Sequence, residues 1–260
     1  MPRILVTNDD GGRSDGIHAL AEAVRRLGDV TVVAPNVEAS AIGHALTLRR
    51  PLRMEQIGEG IYEVDGTPTD CVNIALTQLF DGRIDLIMSG INKGYNIGDD
   101  ITYSGTVAGA MEAALLGIPG IAVSLERTLG AYDFAAAATV AEAVLRGGLS
   151  TRTFLNLNVP PGQPKGLRVT FQAKRNHVTV VNPRQDPRGR AYYWIEEGEN
   201  EWEPHDRSDY QAVKDGYVSV TPLQLDLTAH ASIGLVETLL GTQMTERGEQ
   251  LLIDPRVEVE

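Results

Sequence analysis

Short apolar runs alternate with amphipathic segments along the first 160 residues of the chain. Ile4-Leu5-Val6 and Val30-Thr31-Val32-Val33 have the apolar, β-branched character of buried strands. Gly28 is predicted to close a helix between them, whose apolar positions recur at helical spacing: Ile17, Leu20, Ala21, Val24 and Leu27. A strand, a helix and a second strand in succession indicate a βαβ unit with two parallel strands.

The same alternation continues along the chain. A second helix is predicted to begin at Thr67-Pro68-Thr69-Asp70, which offers an N-cap hydroxyl, a proline and a first-turn acid. The other predicted elements are a strand at Asp85 to Met88, a helix from Val107 to Leu115 stopped by Gly117 and Pro119, a strand at Ile121 to Val123, a helix at Tyr132 to Arg146 and a strand at Phe154 to Leu157. We therefore predict a Rossmann-like α/β fold, in which a doubly wound, mostly parallel sheet lies between two layers of helices.

The sequence changes character after residue 166. Proline- and glycine-rich segments, Pro183 to Gly189 and Glu196 to Pro204, border an aromatic run, Ala191-Tyr192-Tyr193-Trp194-Ile195. This pattern predicts a C-terminal antiparallel hairpin extension. An aromatic arm of this kind is expected to pack on a neighbouring subunit.

We expect one structural domain in three parts. Residues 1–166 would form the catalytic core, residues 167–225 the hairpin arm for oligomerisation, and residues 226–260 a C-terminal helix and tail. The closing helix is predicted to end at Gly241 and to carry its apolar face on Ile233, Val236, Leu239 and Leu240.

Composition restricts the partners and the compartment. The 260 residues include 23 Lys and Arg against 35 Asp and Glu, a formal charge of −12 at pH 7. Because this charge repels polyanions, we expect no binding to duplex nucleic acid, whereas a small anion can bind where a metal ion or N–H groups reverse the local field. Cys71 is the only cysteine. With no signal-peptide core and no apolar run of ~18 residues, a cytoplasmic protein without membrane association is expected.

Two adjacent carboxylates follow the first strand. Asn8-Asp9-Asp10-Gly11-Gly12 lies at the carboxyl end of a strand, where open parallel sheets bind ligands. Adjacent side chains of a regular strand point to opposite faces, so Asp9 and Asp10 can meet one ion only if the strand breaks there. The two glycines favour that break. The structural alternative is a solvated acidic turn that caps the following helix.

The loop after the second strand carries a hydroxyl and an imidazole. Ser40 and His44 lie in the long segment from Ala34 to His44. Each residue alone would be an ordinary loop or structural side chain. Their location at the same end of the sheet makes them candidates for function.

The loop after the third predicted strand is rich in glycine and asparagine. It runs from Ser89 to Asp100 and offers Asn92 and Asn96 as neutral oxygen ligands or amide donors. It leads to Ser104-Gly105-Thr106 at a helix start, where N–H groups and the helix dipole favour a bound phosphate. The spacing matches neither the Walker loop nor the dinucleotide fingerprint.

Together these strand exits offer hard oxygen ligands, one helix end that favours anions, and no thiolate. Mg²⁺ or Mn²⁺ fits such a set better than Zn²⁺. A hard cation beside a phosphate site favours phosphoryl chemistry, with attack on phosphorus by an activated water. The residues therefore predict metal-assisted hydrolysis of a phosphomonoester.

These motifs resemble those of the SurE family, known as survival protein E and as 5'/3'-nucleotidase. The resemblance extends over nearly the whole chain and rests on Thr7-Asn8-Asp9-Asp10-Gly11, Val33-Ala34-Pro35 with Ser40, Gly66 to Val72, Ser89-Gly90-Ile91-Asn92, Ser104-Gly105-Thr106-Val107, Asn158-Val159-Pro160, and Asp209-Tyr210 through Gly216 to Leu223. It implies a Rossmann-like core with a swapped C-terminal arm and a homodimer or homotetramer. It also implies a divalent-metal phosphatase of nucleoside 5'- and 3'-monophosphates that in some members acts on short polyphosphate.

The resemblance also assigns roles by position. It implies one divalent ion per subunit, Mg²⁺ or Mn²⁺ with Ca²⁺ as a substitute, held by Asp9, Asp10, Ser40 and Asn92. The substrate phosphate would lie near Gly43, Asn96, Ser104, Gly105 and Thr106, and Asn8 would support the first loop. We add His44 to Asp9, Asp10 and Asn92 as a catalytic candidate, the general acid for the leaving alcohol. Tyr95 stands where the family commonly has a smaller residue, which bears on substrate preference.

Three other classes of protein use related features. Phosphatases with an aspartyl-phosphate intermediate separate their two carboxylates by one residue, whereas Asp9 and Asp10 are adjacent, so we favour direct attack by water. A signalling receiver domain shares the acidic pair but is about half as long and lacks the Gly/Asn loop. A regulatory protein that binds metal and nucleotide without turnover stays open at this point.

Overall fold

The computed structural model describes residues 1–126, 131–148, 150, 153–176, 179–197 and 201–239. Its strands are β1 (Arg3–Thr7), β2 (Asp29–Pro35), β3 (Met54–Gly58), β4 (Ile61–Val64), β5 (Leu86–Lys93), β6 (Gly120–Leu125), β7 (Phe154–Val159), β8 (Leu167–Val169), β9 (Arg175–Asn176), β10 (Thr179–Gln185), β11 (Ala191–Glu197), β12 (Glu201–Trp202) and β13 (Val218–Pro222). Its helices are α1 (Asp15–Val24), α2 (Pro68–Gln78), α3 (Gly105–Leu115), α4 (Phe134–Arg146) and α5 (Asp209–Lys214).

Nine of these strands form one sheet in the order β3-β4-β2-β1-β5-β6-β7-β13-β8. The six strands from β4 to β7 in this order pair in parallel, while β3 and β13 run antiparallel to β4 and β7. The chain builds outward from β1 through β2 and later in the other direction through β5. The predicted α/β fold with a mostly parallel sheet is confirmed.

Helices cover both faces of the sheet and produce two cores. Alternate residues of a strand face opposite sides. Ile4 and Val6 of β1 therefore pack with α1 and α4, whereas Leu5 packs with α2 and α3. The predicted N-cap of α2 is present as a capping box, in which Thr67 accepts from the Asp70 N–H and the Asp70 carboxylate accepts from the Thr67 N–H.

Two predicted boundaries are wrong for tertiary reasons. Helix α1 ends at Val24 rather than near Gly28. A Cβ at Gly28 would lie 2.3 Å from the Pro2 carbonyl oxygen, so the glycine allows a close approach to the chain before β1 instead of closing the helix. Strand β5 continues to Lys93 through residues expected in a loop, and Asn92 pairs with Ser124 of β6.

Residues 167–223 contribute to the main sheet, to two separate two-stranded sheets and to helix α5. As predicted, β10 and β11 form an antiparallel hairpin, with Asn182 opposite Trp194. Strands β8 and β13, by contrast, belong to the main sheet. The sequence did not predict this, nor the edge pair of β3 and β4. The proposed boundaries at residues 166 and 225 stay predictions.

The chain divides into two compact units, Met1–Leu223 and Gln224–Glu260. In the described part of the second, residues 233–239 are helical after a 3-10 turn at His230–Ser232. Ile233, Val236 and Leu239 of the predicted apolar face are exposed. Leu240 and the predicted end at Gly241 lie outside the described residues. None of the described helices is long and apolar enough to span a membrane.

Candidate active site

A cleft of about 1000 Å³ opens at the carboxyl ends of β1 and β5, where the order of strand addition changes direction. It brings together six predicted site residues: Asp9, Asp10, Ser40, Asn92, Asn96 and Ser104. The other predicted site residues are not among those that line it: Asn8, Gly43, His44, Gly105 and Thr106. The residues of this second group contact the loops, the helix or the carboxylate that border the cleft, as described below.

The first loop breaks directly after β1. The buried amide of Asn8 donates to the Gly11 carbonyl oxygen at 3.2 Å and to Ser14 Oγ at 2.8 Å, and its Oδ1 accepts from the Gly11 N–H at 3.1 Å. Gly11 has a φ of +99°, a conformation that favours glycine. The break brings both Asp9 and Asp10 to the cleft, and Asn8 supports the loop.

The two carboxylates are held in an environment that disfavours their charge. Burial raises the pKa of Asp9 to about 6, the Thr106 hydroxyl that donates to Asp9 Oδ1 opposes this shift, and the neighbouring Asp10 reinforces it. Burial also raises the pKa of Asp10, against the attraction of Lys93 and with the repulsion of Glu38. Within the described structure, Asp10 Oδ2 is buried and has no hydrogen-bond partner. A cation would stabilise both groups.

The N-terminus of helix α3 lies at the cleft. Ser104 is the N-cap, and its hydroxyl accepts from the Val107 N–H at 3.1 Å. Gly105 touches the first loop so closely that a Cβ there would lie 2.7 Å from Asp9 Cβ. Thr106 is fully buried and its hydroxyl is engaged by Asp9. Ser104 therefore faces the cleft, and the next two residues fix Asp9.

The loop after β2 is tied to this site by its backbone. The Ala39 N–H donates to the Asp9 carbonyl oxygen at 2.8 Å, and the Gly43 N–H donates to the Tyr103 carbonyl oxygen at 2.8 Å. Ser40 Oγ donates to Glu38 Oε1 at 2.7 Å, and both residues line the cleft. Gly43 thus anchors the loop that carries Ser40.

The imidazole of His44 contacts a side chain of α3. Its Nε2 lies 2.7 Å from Glu112 Oε2 on α3, and Asn73 Nδ2 of α2 donates to Glu112 Oε1 at 2.7 Å. Although burial works in the opposite direction, these bonds lower the pKa of Glu112. The general-acid role of His44 stays a prediction, since the geometry shows a contact that ties the loop to α3.

The asparagines of β5 and the following loop differ in their surroundings. Asn92 donates through Nδ2 to the Gly94 carbonyl oxygen at 3.0 Å, so its Oδ1 can act as a neutral oxygen ligand. Asn96 is buried among amide and hydroxyl groups of β6 and β7. Its Nδ2 donates to Ser124 Oγ at 2.8 Å.

The sequence did not point to the outer wall of the cleft. This wall includes Glu38, Lys93, Asp100, Tyr103 and three hairpin residues, Thr179, Ile195 and Glu196. No sequence signal indicates that the hairpin folds over the strand ends of the core. Tyr95, already noted for its size, also lines the cleft, and burial raises the pKa of its hydroxyl.

The profile of the family described as Survival protein SurE matches residues 4–179. The chain belongs to the SurE family. The 5'-nucleotidase SurE of Pelobacter propionicus is 53% identical over 242 residues, which cover 90% of this chain and 98% of that protein. The 5'-nucleotidase SurE of Geobacter metallireducens is 50% identical over 250 residues, which cover 94% and 99%. The solved structure of the SurE protein from Aquifex aeolicus has a TM-score of 0.81 and 44% identity, and the match covers 92% of this chain and 100% of that chain.

The oxygen-bearing side chains of the cleft differ in charge. Among the described residues, no group of three or more His, Cys, Asp or Glu side chains is arranged to hold a metal ion. The cleft instead combines two adjacent carboxylates with Ser40 and Asn92. Such a mixture of charged and neutral oxygen atoms suits a hard cation that keeps part of its water shell.

Proposed function

We propose that this chain is a divalent-metal-dependent phosphomonoesterase that hydrolyses nucleoside 5'- and 3'-monophosphates to nucleoside and phosphate. The observation that carries the proposal is that one cleft holds the carboxylate pair Asp9 and Asp10 together with the N-terminus of α3. The relatives named 5'-nucleotidase, about half identical over nine-tenths of the chain, support the substrate class.

The residues present fit a divalent cation. Asp10 Oδ2 is buried without a hydrogen-bond partner in the described structure, and Asp9 is 5% exposed beside it. Asp9 is buried and Asp10 is partly buried next to it, so a positive charge beyond that of Lys93 would stabilise the pair as anions. We assign Asp9, Asp10, Ser40 and Asn92 as the residues that hold one Mg²⁺ or Mn²⁺, with Ca²⁺ as a substitute. When bound, the cation would screen the phosphate charge and lower the pKa of water in the site.

The protein's own groups would bind and orient the substrate. Ser104, Asn96 and the first-turn N–H groups of α3 would hold the phosphate oxygens, because a helix N-terminus favours an anion. Water would attack phosphorus in line with the leaving oxygen, the ester P–O bond would break, and the nucleoside hydroxyl would regain a proton. Asp9 is held by Thr106, which supports a ligand role rather than that of a nucleophile. A covalent adduct on Asp9 or Asp10 with a phosphate mimic would contradict direct attack.

The outer wall supports a substrate larger than inorganic phosphate. Tyr95, Tyr103 and Ile195 add aromatic and apolar surface to the lining of the cleft, and Glu196 adds an acceptor. A volume of about 1000 Å³ accommodates a whole nucleotide. Short polyphosphate remains the second substrate class that the family resemblance implies.

Phosphate release from a substrate panel tests the proposal. The panel contains 5'- and 3'-nucleoside monophosphates, an aryl phosphate and short polyphosphate, each with Mg²⁺, Mn²⁺ or EDTA. We expect release that needs the metal and favours nucleotides. Release that persists unchanged in EDTA would contradict the metal assignment. No release with either metal, together with retained nucleotide binding, would favour a binding protein without turnover.

We further propose that the chain forms a homodimer or homotetramer through the hairpin. Tyr192 and Tyr193 of β11 are 42% and 64% exposed in the single chain, and Val181 of β10 is 52% exposed. Aromatic and aliphatic surface of this kind is typical of subunit interfaces. The single buried cysteine, Cys71, is consistent with a cytoplasmic location, which we also propose.

Shortening the hairpin is expected to shift the sedimentation profile toward monomer. Replacing residues 183–193 by Asn-Gly joins the directly opposed Asn182 and Trp194 through a two-residue turn. This change keeps Trp202, whose ring stacks on Tyr210 at 4.5 Å. Leu115→Ser, which removes exposed apolar surface from α3, serves as the control and should leave the profile unchanged. An unaltered oligomer in the shortened chain would contradict an interface formed by the outer part of the hairpin, residues 183–193.

A further inference from the structure

Two asparagines occupy positions of β7 that would ordinarily be apolar. Leu157 and Val159 face the core shared with α1 and α4, so Asn156 and Asn158 face the opposite side of the sheet. Both asparagines are 0% exposed. Burying a primary amide costs free energy unless its groups are hydrogen-bonded, so two buried amides on one strand call for an explanation.

Both side chains are directed to a single residue in the cleft wall. Asn158 Oδ1 accepts from the Asn96 N–H at 2.8 Å, and Asn158 Nδ2 donates to the Asn96 carbonyl oxygen at 3.0 Å. Asn156 Nδ2 donates to the same carbonyl oxygen at 2.7 Å. Asn158 thus pairs with both backbone groups of Asn96, as a neighbouring strand would.

A fourth bond fixes the side chain of the same residue. Asn96 Nδ2 donates to Ser124 Oγ at 2.8 Å, and Ser124 is the β6 partner of Asn158 in the sheet register. Ser124 is also fully buried. The backbone and the amide of Asn96 are therefore both held from below the cleft by rigid, central strands.

We propose that Asn158 is a positioning residue. With Asn156 and Ser124, it holds Asn96 in the position where the Asn96 amide contacts the transferred phosphoryl group. The inference rests on the proposed function, since it requires that Asn96 contacts the phosphate. Asn158 itself does not line the cleft, and it acts through Asn96. The Asn96 amide has two N–H groups, and the one that Ser124 does not engage is the donor for a phosphate oxygen. Because packed strands hold this amide, it needs no reorganisation during the reaction, whereas an amide on a free loop would.

A double-mutant cycle tests this with kcat and KM for a nucleoside 5'-monophosphate and Mn²⁺. We expect Asn158→Ala to lower kcat by about tenfold to a hundredfold with KM changed less than about threefold, because misplacement of a transition-state contact affects kcat. The double variant Asn96→Ala/Asn158→Ala should be no worse than Asn96→Ala alone, because residues that act as one unit are not additive. If the two substitutions lower kcat by independent factors that multiply in the double variant, the proposal is wrong.

Thr221→Val is the matched control for loss of a buried hydrogen bond. Thr221 is paired with Asn156 in the sheet register, is 1% exposed, and its hydroxyl lies 2.8 Å from that of Thr170 rather than bonding Asn96. It should lower the melting temperature but leave kcat within about twofold. If Asn158→Ala behaves in the same way, Asn158 is merely structural and the proposal is wrong.

Ser124→Ala serves where Asn158→Ala fails to fold. In the described structure it removes one bond, that to Asn96 Nδ2. It should lower kcat by about threefold to tenfold, with a fall in melting temperature no larger than that of Thr221→Val; parental kcat would count against the proposal. Activity lost in Asn96→Ala but retained in both other variants overturns this inference alone. Parental activity in Asn96→Ala would overturn both the inference and the assigned phosphate site.

Discussion

Asp9→Asn is expected to lower kcat/KM for nucleoside 5'-monophosphates by about a thousandfold while the fold is retained. The amide can still accept from Thr106 through Oδ1, so the first loop keeps its hydrogen bond. What it loses is one of the two charges that would hold the cation. Steady-state kinetics with Mn²⁺, beside metal binding measured by calorimetry, checks both parts of this expectation.

The same variant has a second, independent readout in chelator-treated protein. Burial raises the pKa of Asp9 from 3.8 to about 6, so folding favours its protonated form. Its contribution to stability is therefore present below pH 3.8 and is lost as the pH rises through about 6. Between these values the melting temperature of the parent should fall relative to that of Asp9→Asn. Parallel pH profiles would contradict the buried placement of this carboxylate.

Asp15→Asn provides the matched control. Asp15 is an exposed acid in the first turn of α1, near the same loop but outside the cleft. Its loss should cost only a few tenths of a kcal/mol to about 1 kcal/mol of stability and leave kcat/KM near parental. If Asp9→Asn retains parental activity, or if both variants lose activity equally, the assigned metal site is wrong.

The central sheet could be predicted because its signals are local. Three apolar residues from Ile4 to Val6, followed by a helical stripe and a second β-branched run, define a βαβ unit without reference to any distant residue. The capping box at Thr67 is equally local. The end of α1 was missed because the role of Gly28 depends on Pro2, with which it shares no periodic pattern.

The candidate site was predictable where a topological rule applies. Asp9 and Asp10 follow β1, and Asn92 is the second-last residue of β5, so the rule that ligands bind at the carboxyl ends of strands predicts one site. The rule does not predict contacts between residues that are far apart in the sequence. Asn158 bonds Asn96 across 62 residues, and Ile195 reaches the cleft only because the hairpin folds over the core.

His44 illustrates the limit of reasoning from location alone. It lies in a loop at the correct end of the sheet, which favoured a catalytic interpretation. Its imidazole Nε2 is nevertheless 2.7 Å from the carboxylate of Glu112, which lies in α3, 68 positions further along the chain. The sequence did not predict this tertiary partner, and the general-acid role of His44 stays a prediction.

Gly105→Ala is expected to reduce kcat/KM by about a hundredfold although it adds only one methyl group. The new Cβ would lie 2.7 Å from Asp9 Cβ and 2.8 Å from Asp9 Oδ2. Asp9 Cβ is attached to the backbone, so the clash cannot be relieved by a side-chain rotation and must move either the first loop or the start of α3. Because both the proposed metal site and the phosphate site depend on these segments, a small displacement affects each.

Steady-state kinetics and thermal melting separate that displacement from unfolding. The overpacked variant should lose about 1–3 kcal/mol of stability and remain folded at 25 °C. Gly147→Ala, just after α4, is the control, since among the described residues its Cβ would meet only the Val144 carbonyl oxygen, at 3.2 Å; it should keep parental kinetics. A metal ligand must keep a fixed distance from its cation, so displacement of Asp9 should lower activity. Parental activity in Gly105→Ala would therefore contradict the proposed ligand role of Asp9. The close approach of a helix N-terminus to a carboxylate, allowed only by glycine, is thus the feature that joins the fold to the proposed chemistry.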